Sequence, residues 1–158
     1  HNGRDIISVG KCLDERWFPD CRQGNEEFER WDYQDIVSNS TFGLILPGIS
    51  PMSYRLAEVM AWGTVPVIVS DYMSLPFPDL IDWASISVII PERQIMEAPD
   101  ILRRISPAEC DAMRRKGAHV YETHLASIGR IVLSGIDTFG RRSGMLPVSY
   151  SFDATASR

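Results

Sequence analysis

The chain has 158 residues, of which 44% are hydrophobic, 23% charged and 9% aromatic, and it carries a net charge of −5. That is one ordinary globular domain, able to bury roughly 70% of the surface its unfolded form exposes, and the composition excludes disordered and collagen-like classes. The acidic balance excludes a general nucleic-acid binder, which needs a basic surface. No run approaches roughly 18 apolar residues, so no segment reads as a membrane span. The first residue is His1 and no signal peptide is evident, so the sequence reads as a piece of a longer or processed chain. Positive charge is almost all arginine, with Lys11 and Lys116 the only lysines. Arginine suits bidentate recognition of phosphate and carboxylate.

In chain order, Asp5–Val9 reads as a short strand and Gly10–Gln23 as an irregular polar stretch. Asn25–Ser38 has partial helical spacing through Phe28, Trp31 and Ile36. Thr41–Leu46 is an apolar run ahead of Pro47-Gly48 and reads as a buried strand. Gly43 within it either weakens the strand reading or marks a close backbone approach. Ser53–Trp62 follows as a helix, with Ser53 as its N-cap and Gly63 at the left-handed C-terminal position. Val65–Val69 is the clearest strand, and Pro66 belongs near its start. A proline-broken loop covers Ser70–Asp82, and Ile86–Ile90 is a third apolar strand.

Pro99–Ile105 reads as a short helix. Ser106-Pro107-Ala108-Glu109 combines an N-cap, a first-turn proline and a capping-box glutamate. The long helix it opens carries a stripe of Cys110, Met113, Gly117, Val120, His124, Ile128 and Ile131. From about Gly140 the sequence turns polar and small, and a loosely ordered tail is expected. Short apolar strands alternating with helices imply an α/β layered domain with a parallel sheet and crossover helices.

In such sheets ligands bind at the carboxyl ends of strands. That rule selects the loop Pro47–Met52 and the helix after it. Gly48 admits a ligand close to the backbone, Ser50 and Ser53 offer hydroxyls, and the first helical turn offers unpaired N–H groups. Arg55 can fork a phosphate, and Glu58, three residues on, can accept from a sugar diol. The blander alternative is an Arg55–Glu58 pair on a solvated face, with Ser53 only a cap.

Other candidates read as structural. His119 and His124 fit packing or surface positions, and Asp79 and Asp82 a solvated loop. Trp62, Phe77 and Trp83 fit a core better than a sugar platform. The paired arginines (103 and 104, 114 and 115, 141 and 142) fit helix surfaces. No CxxC and no Cys/His cluster has zinc spacing. No Asp-x-Asp triplet, a common metal-binding pair, occurs, which favours anion binding through arginine and a helix terminus without a metal or other cofactor. Cys12 and Cys21 could pair in an oxidising compartment, where the sequon Asn39-Ser40-Thr41 would also acquire meaning.

The stretch from Ser40 to Phe77 resembles the exostosin-type glycosyltransferase family. The matching parts are Phe42-Gly43-Leu44, Leu46-Pro47-Gly48, Ser53-Tyr54-Arg55-Leu56-Ala57-Glu58, Gly63 to Ile68, Asp71 and Leu75-Pro76-Phe77. Ile81-Asp82-Trp83 and the strand ending at Pro91-Glu92 extend the likeness, which runs from about Asp32 to about Arg115. One departure is Gly43, where the family carries cysteine, so any disulfide of that cysteine is lost and Cys12 and Cys21 pair with each other or stay free.

The resemblance implies a Rossmann-like domain, the C-terminal, donor-binding half of a GT-B glycosyltransferase. Residues 1–139 would form that domain and 140–158 a tail. It implies inverting transfer from a UDP- or GDP-linked nucleotide sugar to a glycan or glycoprotein acceptor. It also implies a type II membrane protein of the Golgi lumen, with room for homo- or hetero-oligomers. Arg55 would hold the diphosphate, Glu58 the ribose, and Ser53 with Gly48, Ser50 and the loop backbone the phosphate cradle. Asp71 and Tyr72 would rim the base or sugar pocket. The catalytic base is expected on the other half, leaving this part to bind nucleotide without turnover. The alternatives are a non-catalytic exostosin-like scaffold or partner subunit, and an unrelated α/β phosphate-binding domain.

Overall fold

The computed structural model describes residues 5–7, 29–47 and 53–144. The chain divides into two units, His1–Ser40 and Thr41–Arg158. In the first unit a helix, α1, spans Tyr33–Ser38. Its start is fixed by Asp32, whose Oδ1 accepts from the N–H groups of Gln34 and Asp35 at 2.8 and 3.1 Å. Of the helix expected over Asn25–Ser38, the described part is helical from Tyr33, because Asp32 holds the extended conformation of a cap, and residues 25–28 lie outside the described residues. Asp5–Ile7 lies in no strand, which corrects the expected one there. Its remaining residues, the irregular stretch, and Cys12 and Cys21 lie outside the described residues.

The second unit is built on three parallel strands in the order β1 (Phe42–Ile45), β2 (Val65–Val69) and β3 (Val88–Ile90). Leu44 pairs with Val67 across one ladder, and Ile68 with Ile89 across the other. All five residues of β2 are buried, which is why Val-Pro-Val-Ile-Val shows no alternation. Each of its four branched side chains contributes about 1.5–3 kcal/mol by leaving water.

Two helices close the faces. Helix α2 spans Arg55–Ala61 and buries Leu56, Val59 and Met60. It lies so close to β1 that a Cβ built on Gly43 would stand 2.7 Å from a Val59 methyl. The close approach anticipated at Gly43 is therefore real. On the other face Val67, Val69 and Ile90 pack with Ala98, Ile101 and Leu102 of α3 (Ala98–Arg103). A 3₁₀ stretch, Glu92–Glu97, leads into α3 and takes the first part of the span between β3 and that helix.

Gly63 ends α2 as anticipated, with φ +69°. Its N–H donates to the Met60 carbonyl and that of Thr64 to the Val59 carbonyl, at 3.0 and 3.1 Å, a Schellman closure. At the other end Ser53 is not the side-chain cap. The cap position is Tyr54, already helical at φ −62°, ψ −28°, with no side-chain bond, and Ser53 supplies only its carbonyl to Leu56 N–H at 3.2 Å.

The third strand is shorter than expected because Trp83–Ser85 forms a 3₁₀ turn and Ile86 caps it. Trp83 is buried, and its Nε1 donates to the Pro76 carbonyl at 2.9 Å. Trp62, in contrast, caps α2 and is 43% exposed, so it is not a core residue.

The capping box opens α4 (Pro107–Val120) as anticipated: Ser106 Oγ accepts from Glu109 N–H, and the Glu109 carboxylate accepts from Ser106 N–H at 2.8 Å. These bonds hold the Glu109 carboxyl below its ordinary range. Cys110 is free and buried in α4, and desolvation raises its thiol pKa. The single long helix does not form. A π turn at Tyr121–Leu125 follows α4, and Ser127, extended at φ −152°, caps a separate helix α5 (Ile128–Arg142) by accepting from Arg130 N–H. Ile128 and Ile131 consequently leave the core stripe and are exposed. Gly140–Arg142 belong to α5 rather than to a tail, and Ser143 and Gly144 (φ +71°) turn the chain after it.

His124 links the π turn to α5: its Nδ1 lies 2.8 Å from Oγ of buried Ser134. Burial lowers the imidazole pKa below the ordinary 6.5; Asp137 opposes that shift, while His119 and Arg130 add to it. A base with a depressed folded value favours the native state above its unfolded value and loses that contribution as pH falls below it. Melting temperature should therefore drop between about pH 7 and pH 5 more in the native protein than in His124→Gln. Gly43→Ala should destabilise by about 1–3 kcal/mol, read by denaturant titration, because the added methyl meets the rigid branch of Val59.

Candidate functional site

Because all three strands run parallel, their carboxyl ends share one edge. Leu46 and Pro47 leave β1 there, Ser70-Asp71-Tyr72 leaves β2, and Pro91-Glu92 leaves β3. Buried Ser70 organises this edge. Its Oγ accepts from Tyr72 N–H at 3.1 Å, closing a tight turn, and donates to Glu92 Oε1 at 3.4 Å. Asp71 N–H reaches the same carboxylate oxygen at 3.4 Å. Two of these contacts are long and individually weak. Together they tie the turn after β2 to the end of β3. Tyr72 is left 84% exposed at the edge, with Asp71 exposed beside it.

The second set of residues lies at the start of α2. Gly48 and Ser50 fall outside the described residues. Ser53 is half-buried, and Tyr54 presents an aromatic ring that is 94% exposed. Arg55 and Glu58 are exposed, three residues apart on the helix and opposite its buried Leu56–Val59–Met60 side. Both take part in interactions of their own. With only seven residues, α2 has few aligned peptides, so attraction for an anion here rests mainly on the Arg55 guanidinium. As the crossover between parallel strands, α2 starts from the edge at which β1 ends.

Thus Ser70, Asp71, Tyr72 and Glu92 form one hydrogen-bonded group, and Ser53, Arg55 and Glu58 lie at the start of α2 on the neighbouring connection. Spacing alone did not single out Ser70, Glu92 or Tyr54. A usable signal existed: each directly follows a strand or opens the helix after one.

A concavity of about 570 Å³, open to solvent, lies elsewhere, along Leu75 and Pro78–Trp83. Asp79 on its rim is paired with Arg142 at 2.6 Å, a tie between the loop and α5. Asp82 precedes the 3₁₀ turn, with its carbonyl bonded to Ser85. Among the described residues no group of three His, Cys, Asp or Glu could hold a metal ion. No helix among them is long and apolar enough to cross a membrane.

Residues 11–105 match the Exostosin GT47 domain family. The chain belongs to that family. The exostosin match takes in both residue groups at the carboxyl edge and ends just before α4. Similar proteins include the Exostosin-1 homolog of Caenorhabditis elegans, 36% identical over 81% of this chain and 35% of its own length. Exostosin-1 of Drosophila melanogaster is 32% identical over 96% of the chain and 20% of its length. Exostosin-1c of Danio rerio is 32% identical over 87% and 19%. The chain thus spans about a third or less of the length of these exostosins, and the family match places it in a glycosyltransferase family. The three-stranded parallel sheet with flanking helices agrees with the α/β Rossmann-like expectation.

Replacing Glu92 by Ala should free the turn after β2. Amide exchange at Asp71 and Tyr72 should quicken, while the Trp83 indole N–H, bonded to Pro76, should stay protected.

Proposed function

We propose that this exostosin-family chain is the donor-binding half of an inverting glycosyltransferase of GT-B arrangement. The substrates are a UDP- or GDP-linked sugar and a glycan or glycoprotein acceptor. The observation that carries this reading is the position of Arg55 and Glu58 in the first turns after β1, on the sheet edge that also holds Ser70–Tyr72 and Glu92.

The chemistry follows from charge. Glycosyl transfer expels a nucleoside diphosphate, so negative charge grows on the diphosphate as the anomeric bond breaks. A guanidinium aimed at those oxygens binds the growing charge more strongly than the ground state and so lowers the barrier. Arg55 takes that role. Glu58 accepts from the ribose hydroxyls and fixes the donor's register. Ser53 and the Gly48–Ser50 loop supply further donors to the phosphates, and Asp71 and Tyr72 border the base or sugar. The acceptor hydroxyl attacks opposite the leaving group, which inverts the anomeric centre. The base that takes its proton belongs to the facing half across the cleft. Donor binding needs no metal in this scheme. The full-length protein resides in the Golgi lumen as a type II membrane protein.

Calorimetric titration of the full-length protein with UDP, GDP and their sugars tests the reading. One nucleotide should bind, equally well in EDTA, and Arg55→Ala should weaken it more than tenfold, or about 1.4 kcal/mol. Unchanged affinity in that variant removes the site assignment. Absence of any nucleotide binding, with stable association to a second subunit, would assign the chain to a non-catalytic partner role instead.

A further inference from the structure

The carboxyl edge of the sheet carries one carboxylate to which the proposed donor site gives no task. Glu92 stands just beyond β3, on backbone that is fixed before and after it. Ile90, 1% exposed, ends β3 in register with Val69. Pro91 is extended at φ −58°, ψ 144°, and its carbonyl accepts from Gln94 N–H at 2.8 Å, closing the first turn of the 3₁₀ stretch. Ser70 follows Val69 on the neighbouring strand, so its hydroxyl and the Glu92 carboxylate meet just past the last paired residues.

The bonds at this meeting point have a direction. A carboxylate only accepts, so Ser70 donates to Glu92 Oε1, and a lone pair of the serine oxygen is left to receive Tyr72 N–H. The result is a relay from Tyr72 N–H through the Ser70 hydroxyl to Glu92, with Asp71 N–H as a second donor to the same oxygen. Hydrogen bonds in series polarise and strengthen one another. The Tyr72 ring is 84% exposed, so side-chain packing does little to place it and the backbone anchor decides where it stands. The far part of the same connection is pinned separately, by Trp83 Nε1 on the Pro76 carbonyl and by Leu80 and Ile81 N–H on the Phe77 carbonyl.

We infer that Glu92 is a positioning residue for the donor: acting through Ser70, it presets the Asp71–Tyr72 turn in the form that receives the base or sugar end of the nucleotide sugar. This rests on the donor-binding reading above and adds the residue that holds that side of the site ready. A preset turn spares the ligand the cost of ordering it, whereas a loosened turn lowers apparent affinity by the fraction of time it is correctly formed. Arg55 and Glu58, on α2, are untouched by the relay.

Calorimetric titration of the full-length protein tests this, the probe being whichever of UDP, GDP and their sugars the native protein binds most tightly. Glu92→Ala and Glu92→Asp should each weaken binding about fivefold or more with unchanged stoichiometry. The aspartate is one methylene short, and contacts of 3.4 Å leave no slack to absorb that. Glu92→Gln should stay within about twofold of native, because its amide oxygen accepts the same two bonds. Ser70→Ala should weaken binding as Glu92→Ala does, and the double variant should bind no worse than the poorer single one, as expected of residues acting in one relay. Native affinity in Glu92→Ala overturns the inference. So does a Glu92→Gln variant as poor as Glu92→Ala, which makes the charge itself a contact to the ligand. Lowered stoichiometry at unchanged affinity also overturns it and leaves Glu92 a support of the fold alone. In each of these cases the donor-site reading stands as long as Arg55→Ala weakens binding. A native protein that binds none of the probes removes both.

Discussion

The fold depends on a central strand that has no face left for water. Val65–Val69 is flanked by parallel neighbours on both sides and by helices above and below. Parallel pairing cannot be made by a hairpin, so each connection must cross from one end of the sheet to the other. The first crossing supplies α2 on one face, and α3, which follows β3, covers the other. Their geometry also decides where reactive side chains can gather. Every strand delivers the chain to the same edge, and the residues met there (Leu46 and Pro47, Ser70–Tyr72, Pro91 and Glu92) are ones a strand interior would not accept. Gly43 is the local cost of closing this arrangement, since no side chain fits between β1 and Val59.

The two residue groups at that edge differ in how they are held. The turn after β2 is held by the hydroxyl of one buried serine and a carboxylate just beyond the next strand, so its shape follows from the sheet. Arg55 and Glu58 project from a two-turn helix, and their placement follows from the packing of Leu56, Val59 and Met60 beneath them. The side that carries charge is fixed by the side that avoids water. Family membership and this division agree: the exostosin match covers the sheet, both connections and α3, and stops where α4 begins.

Much of this was legible in the residues. Val65–Val69 was unmistakable because a doubly covered strand is uniformly apolar. Gly63 and the Ser106–Glu109 box were legible because their roles are local, set by dihedral angles and hydrogen bonds within a few positions. The misses share a different origin. Asp32 and Tyr54 each shift a helix start by a residue or more, and which residue caps depends on the incoming chain rather than on side-chain preference. The stripe drawn from Cys110 to Ile131 failed at Ser127, where a local side-chain bond to Arg130 outcompeted continuation of the helix. Ile86 was read as strand because apolar content alone does not separate a buried 3₁₀ cap from a ladder residue. The partnership of Ser70 and Glu92 escaped notice because it spans 22 positions and arises only once β2 and β3 pair.

The interruption at Ser127 also partitions cohesion within the second unit. The helix before it rests on the sheet's own apolar packing, through Cys110 and Gly117. The helix after it is retained by contacts that water can imitate, namely an imidazole–hydroxyl bond and an ion pair. Loss of the latter would break no strand pairing, so local opening of the C-terminal element should cost less than unfolding the sheet. Detachment and re-docking there can proceed beneath the threshold for unfolding the sheet. A chain built this way can exchange what lies against its last helix without disturbing the edge where its charged side chains are arrayed.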